Sequence, residues 1–177
     1  MSSMNKIKKI AIPIIKKFLA EKDLVHIFDN KSSSEIQVEG FLDILNEAEK
    51  SLDIVSPFID SLFARLIKTL SYRIKIRLLT NPQYSEKMMW MSDTSDIEVH
   101  CMPQKSAILH SKFIIMDEEA IIYGSTNLTE FSWDRNYEHV IASDETNMVH
   151  RYQSYFCNMW KESVPVKNLK SQTKMLV

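Results

Sequence analysis

The chain has 177 residues, enough for one domain with short appendages, and is 45% hydrophobic, 10% aromatic and 25% charged. That composition excludes a disordered or fibrous chain. Twenty-two Lys and Arg face 23 Asp and Glu, so any nucleic-acid binding must come from a local basic face rather than from bulk charge. Two cysteines, Cys101 and Cys157, make neither a disulfide scaffold nor a zinc signature, and we expect a reducing, cytoplasmic location.

Residues 1–22 interleave Lys6, Lys8, Lys9, Lys16 and Lys17 with isoleucines, around Pro13. We read them as a basic appendage that packs on the domain or meets an anionic partner. The apolar run from Ile10 to Ile15 is too short for a signal-peptide core or a membrane span, and a membrane partner is not expected. The domain proper is expected over 23–163. Leu24 to Phe28 reads as a strand and Asp29 to Ser33 as a polar loop. Ser34 and Gln37 have capping-box spacing before Val38, Phe41, Leu42, Leu45 and Ala48 at helical spacing. Leu52 to Val55 reads as a buried strand. Asp60 caps a second helix with Leu62, Phe63, Leu66, Ile67 and Leu70 on one face. Ile74, Ile76 and Leu78 alternate with Lys75 and Arg77 as a half-buried strand, and Asn81-Pro82 marks a turn. A short helix over Tyr84 to Met91, a strand over Ile97 to Cys101 and a loop from Met102 to Ser106 follow. Further strands are expected at Lys112 to Met116, Ala120 to Tyr123 and Glu138 to Ala142. Val149, Tyr152, Phe156 and Trp160 mark a final long helix, and 164–177 a basic, loose tail. The order predicts an α/β fold: one mixed β-sheet flanked by helices on both faces.

The informative stretch runs from His110 to Asn127. Counting from His110, Lys112 stands at offset 2, Asp117 at 7, Gly124 at 14, Ser125 at 15 and Asn127 at 17. Five fixed identities behind any of five histidines arise by chance on the order of once in a million. His110 and Lys112 are two apart on a predicted strand and so share one face. Asp117 and Glu118 fit the turn to the next strand, which returns Gly124 and Ser125 to the level of His110. Imidazole, ammonium, hydroxyl and amide around one point make a site for an oxyanion, most naturally phosphate. Gly124, one of two glycines, fits a close backbone approach or a positive φ.

These residues resemble the HKD signature of the phospholipase D superfamily, H-x-K-(x)4-D-(x)6-G-S-x-N, at every fixed position. The resemblance implies metal-independent phosphodiester chemistry, with no cofactor, through a phosphohistidine. Small single-motif members are typically nucleases. It assigns catalytic roles to His110, Lys112, Ser125 and Asn127, and marks Glu138 as the carboxylate that orients a histidine. Asp117 belongs to the signature but reads more as a turn residue than as a catalyst. Trp133, Arg135 and Tyr137, expected in a loop between the signature and Glu138, are candidates to flank substrate by stacking and phosphate contact, and Lys105 to touch phosphate. The chemistry needs two histidines across the phosphorus, yet His26, His100, His139 and His150 lack the partner Lys, Ser and Asn. A homodimer sharing one site supplies the second His110 most simply. The leading expectation is therefore a nuclease on DNA or RNA. The alternatives are a cardiolipin-type phospholipid phosphodiesterase and a phosphate-holding nucleic-acid-binding module of a larger assembly.

Overall fold

The computed structural model describes residues 25–29, 34–83, 90–91, 96–103 and 108–168. The basic appendage of 1–22, Lys105, most of the Tyr84 to Met91 segment and the end of the tail lie outside them.

Among the described residues, eight strands form one mixed sheet in the order β1-β7-β6-β5-β2-β3-β4-β8. The strands are β1 (Val25–Asp29), β2 (Ser51–Val55), β3 (Lys75–Thr80), β4 (Ile97–Cys101), β5 (Phe113–Met116), β6 (Ala120–Gly124), β7 (His139–Ser143) and β8 (Val164–Pro165). β2, β3 and β4 are parallel, and β5, β6, β7, β1 and β8 add antiparallel partners. Helices α1 (Ser34–Asn46), α2 (Ser61–Leu70), α3 (Glu130–Arg135) and α4 (Thr146–Glu162) cover its faces.

Alternation along each strand decides which face is covered by what. Leu52, Ile54, Ile76, Leu78, Ile114 and Ile122 pack with Phe41 and Leu45 of α1, Phe63 and Ile67 of α2 and Trp133 of α3. Their neighbours Val55, Leu79, Phe113, Ile115 and Ile121 pack with Val149, Phe156 and Met159 of α4. The expected sheet with helices on both faces is what the chain forms.

Local chemistry sets the helix ends. Asp60 Oδ1 accepts from Leu62 N at 3.0 Å and Phe63 N at 3.1 Å, which fixes the start of α2. Thr129 caps α3 through Ser132 N at 3.2 Å. The expectation of a loop there was wrong, because a six-residue helix is shorter than the window over which periodicity shows. The tail also begins later than expected. Val164 and Pro165 pair with Cys101 and His100 of β4, and Val166 is buried. The edge of β4 would otherwise leave its backbone groups unpaired.

One charged pair interrupts the apolar α4 face. Arg77 donates from Nε to Asp53 Oδ1 at 2.6 Å and from its terminal nitrogen to Asp53 Oδ2 at 2.5 Å. Its guanidinium lies 4.7 Å from the Phe156 ring centroid. Burial raises the Asp53 carboxyl and Arg77 opposes it. The pairing is what keeps this carboxylate tolerable in the sheet. No helix among the described residues is long and apolar enough to cross a membrane.

Candidate phosphate site

The site lies where the parallel strands β2, β3 and β4 end, the usual place for ligands in open α/β sheets. Register brings the signature there. Phe113 of β5 faces Tyr123 of β6, and one step further Gly124 N donates to Lys112 O at 3.4 Å. On the other side Gly124 faces Val140 of β7, and Ser125 N donates to His139 O at 3.1 Å. Three strand ends thus deliver His110 and Lys112, then Ser125 to Asn127, then Glu138 to one end of the sheet.

Gly124 is required by space, not by conformation. Its φ is not positive, but an added Cβ would stand 2.1 Å from His139 O. Only a residue without Cβ lets β6 and β7 approach this closely.

His110 is exposed. It and Lys112 sit in the lead-in to β5 and not on the strand itself, which starts at Phe113. Leu109, just before, is buried, and Asn81 Nδ2 donates to its carbonyl at 3.4 Å. Lys112 turns back, and its Nζ donates to His110 O at 2.7 Å. Burial holds the Lys112 ammonium below the usual lysine value, and the Glu138 carboxylate pulls the other way. The charge of Glu138 is thus felt at Lys112.

Ser125 Oγ donates to Glu138 Oε2 in a short contact, and Asn136 Nδ2 donates to Glu138 Oε1 at 3.0 Å. Ser125 Oγ also accepts from His139 N at 3.2 Å, with His139 Nδ1 at 3.4 Å. Asn127 is half-buried, and its Oδ1 is buried with no hydrogen-bond partner among the described residues. Its loop is fixed from afar. Leu128 N donates to Ser56 Oγ at 3.2 Å, and Asp60 N donates to Leu128 O at 3.1 Å. Glu130 N donates to Asp60 Oδ2 at 2.6 Å. Asp60 therefore starts two helices at once.

Other expected site residues are placed elsewhere. Asp117 lies at the opposite end of β5 from His110. It has φ 55° and Glu118 has φ 63°, the paired left-handed residues of a tight hairpin turn. Its carboxylate accepts from Glu49 N, Lys50 N and Ser51 N, each at 2.8 Å. It clamps the α1–β2 loop to the β5–β6 turn and takes no part in the phosphate site. Trp133 is also not a substrate platform. It is 2% exposed, with its ring 5.0 Å from Phe41 and 6.5 Å from Phe63. The long indole finds better burial between two helices than against solvent. Arg135 stands exposed in the last turn of α3, and Tyr137 is exposed beyond it. Among the described residues, no group of three or more His, Cys, Asp or Glu side chains is placed to hold a metal ion.

Residues 41–160 match the family described as cardiolipin synthase, PLD-like domain, and the chain belongs to this phospholipase D-like family. Curated relatives include the mitochondrial cardiolipin hydrolase of Danio rerio, 29% identical over 138 residues, covering 75% of this chain and 60% of that protein. The mitochondrial cardiolipin hydrolase of Xenopus laevis is 28% identical over 123 residues, covering 67% and 58%. The chain thus spans about three fifths of these relatives' length. Among solved structures, NucT from Helicobacter pylori superposes with a TM-score of 0.73 at 18% identity, over 81% of this chain and 99% of that one. Nuc from Salmonella typhimurium, a phospholipase D family member, gives 0.69 at 13% identity, over 81% and 98%. At these identities the two structures support the shared fold.

Proposed function

We propose that this protein is a phosphodiesterase that cuts nucleic acid through a phosphohistidine on His110, in a site completed by a second copy of the chain. The observation that carries the reading is the convergence of His110, Lys112, Asn127 and the Ser125–Glu138 pair at one end of the sheet. The exposed imidazole of His110 attacks phosphorus, a P–N bond forms and a P–O bond breaks. The partner's His110 gives its proton to the leaving oxygen, then takes one from water as water displaces the first imidazole. Lys112 and Asn127 answer the charge on the phosphoryl oxygens. Glu138 and Asn136 hold the Ser125 hydroxyl in place.

Nucleic acid is favoured by the fold, which NucT and Nuc share over nearly their whole length. A cardiolipin-type phosphodiesterase is the second reading, motivated by the curated relatives, which are cardiolipin hydrolases. A phosphate-holding module is the third; a DNA-binding archaeal chromatin protein, TrmBL2, shares the fold with a TM-score of 0.60. The test is a panel of single-stranded DNA, duplex DNA, RNA and cardiolipin vesicles, each with EDTA. Cleavage of nucleic acid that survives the chelator is expected. Hydrolysis of vesicles alone would establish the second reading, and tight binding without turnover the third.

A further inference from the structure

An open cleft of about 630 Å³ lies beside the phosphate site, between the start of α2, the N-terminal part of α3 and Trp90. Asn127 forms part of its wall, so cleft and phosphate site share a residue. We infer that this cleft receives the base flanking the scissile phosphate of a single-stranded nucleic acid, an inference that rests on the nuclease reading above.

The lining argues for a base over an acyl chain. Most of the exposed lining is apolar, yet six of the ten described lining residues also carry polar groups, a mix of which an acyl chain would use only the apolar part. A base offers an apolar π-face to rings and a polar edge to the rest. Three aromatic residues line the cleft, Phe58, Trp90 and Phe131. Phe131 is 67% exposed and Trp90 38% exposed, although the neighbouring Trp133 is fully packed away. These large rings are left where a stacking partner can reach them.

The walls are also fixed and electrostatically quiet. The Asp60 carboxylate lines the cleft but already accepts from Leu62 N, Phe63 N and Glu130 N. Its charge is answered by two helix starts and does not repel an entering phosphate strongly. Thr129 Oγ1 is engaged with Ser132 Oγ at 3.0 Å. The bridge between Ile59 and Leu128 ties the α2 side of the cleft to the loop carrying Asn127. A base seated on Phe131 or Trp90 would therefore hold its phosphate at a set distance from Asn127. A base in a duplex is already stacked on its neighbours and paired, so it reaches a side cleft only by leaving the helix. Single strands enter without that cost.

The test uses the full chain with Phe131→Ala and Trp90→Ala, and exposed Tyr72→Ala at the far end of α2 as the aromatic-loss control. The substrates are short fluorescent single-stranded DNA, the RNA of the same sequence, the duplex, and vesicles of phosphatidylglycerol with cardiolipin. Loss of one stacking contact should raise KM for the single strands about tenfold. An abasic residue beside the cut site should weaken wild type equally and the Phe131 variant no further. Unchanged KM in both variants, with single strands still cut, would overturn the subsite and leave the nuclease reading standing. Cleavage of vesicles but of no nucleic acid would overturn that reading itself. Vesicle hydrolysis that falls in Phe131→Ala while oligonucleotide cleavage holds would give the cleft to an acyl chain and refute the inference.

Discussion

Replacing Asp117 separates the frame of the signature from its chemistry. The carboxylate accepts three backbone N–H bonds of 2.8 Å from Glu49, Lys50 and Ser51. A bond to a charged acceptor stabilises by roughly 1.5–3 kcal/mol when buried. Glu49 and Lys50 are exposed, so water replaces part of what is lost, and about 1 kcal/mol for each bond is a fair figure. Asp117 also holds φ 55°, a region Asp tolerates and Ala resists by about 1 kcal/mol. Asp117→Ala should therefore cost about 4 kcal/mol. Asp117→Gly should cost about 3 kcal/mol, since it removes the bonds and not the backbone freedom. Asp117→Asn, which keeps one acceptor oxygen, should cost about 1–2 kcal/mol. For a chain of this size the Ala variant should melt about 10 °C lower. Urea unfolding gives the ladder, and kcat per folded molecule, measured well below each melting point, should stay within about twofold of wild type. A variant with an unchanged midpoint and a hundredfold lower kcat would put the carboxylate in the chemistry and refute the structural assignment.

Gly124→Ala should destabilise by about 3 kcal/mol or more and impair turnover, because its Cβ would meet His139 O at 2.1 Å and force Ser125 away from β7; a stable, fully active variant would contradict the close approach. Burial pushes the Cys101 thiol up to about 11, whereas Cys157 is exposed on α4. Iodoacetamide at neutral pH should therefore modify Cys157 alone in the native protein, and peptide mapping that finds equal labelling would show that β4 opens. His100 stacks on Trp160 at 3.8 Å and shares a 2.8 Å bond with Ser163 Oγ. Burial lowers its pKa below 6.5, with Glu98 opposing. Below pH 6.5 the unfolded chain then binds more protons than the folded one, so stability falls as pH drops from 6.5 through the folded value. His100→Phe should flatten the urea midpoint between pH 5 and 7, and parallel slopes for the two proteins would exclude this source.

Much of this was legible in the chain because the deciding patterns are local. Strand alternation at Ile74 to Leu78, the Asp60 cap and the helical spacing of Val149 to Trp160 each lie within one element. The signature placed His110, Lys112, Ser125 and Asn127 because a hairpin is a local structure, and its turn at Asp117 returns β6 beside β5. What was not legible depends on partners far along the chain. Trp133 read as a loop aromatic free to stack, and only its meeting with Phe41 and Phe63 makes it core. The hold of Ser56 on Leu128 spans 72 residues, and that of Asn81 on Leu109 spans 28. Neither leaves a spacing signal. Asn136, two residues before Glu138, had a local clue in its type and position, but its role as a brace shows only in the bond it makes. β8 escaped because two residues are too few for any period, and the bare edge of β4 is what recruits them.

Turnover in mixtures of wild-type and His110→Ala chains, refolded together at fixed total concentration, tests the shared two-histidine site most directly. If each active unit needs two copies of His110, activity should follow the square of the wild-type fraction, and an equal mixture should retain about one quarter of full activity. A linear fall to about one half would mean that each chain carries an independent site, and undiminished turnover by the His110→Ala chain alone would remove His110 from the chemistry.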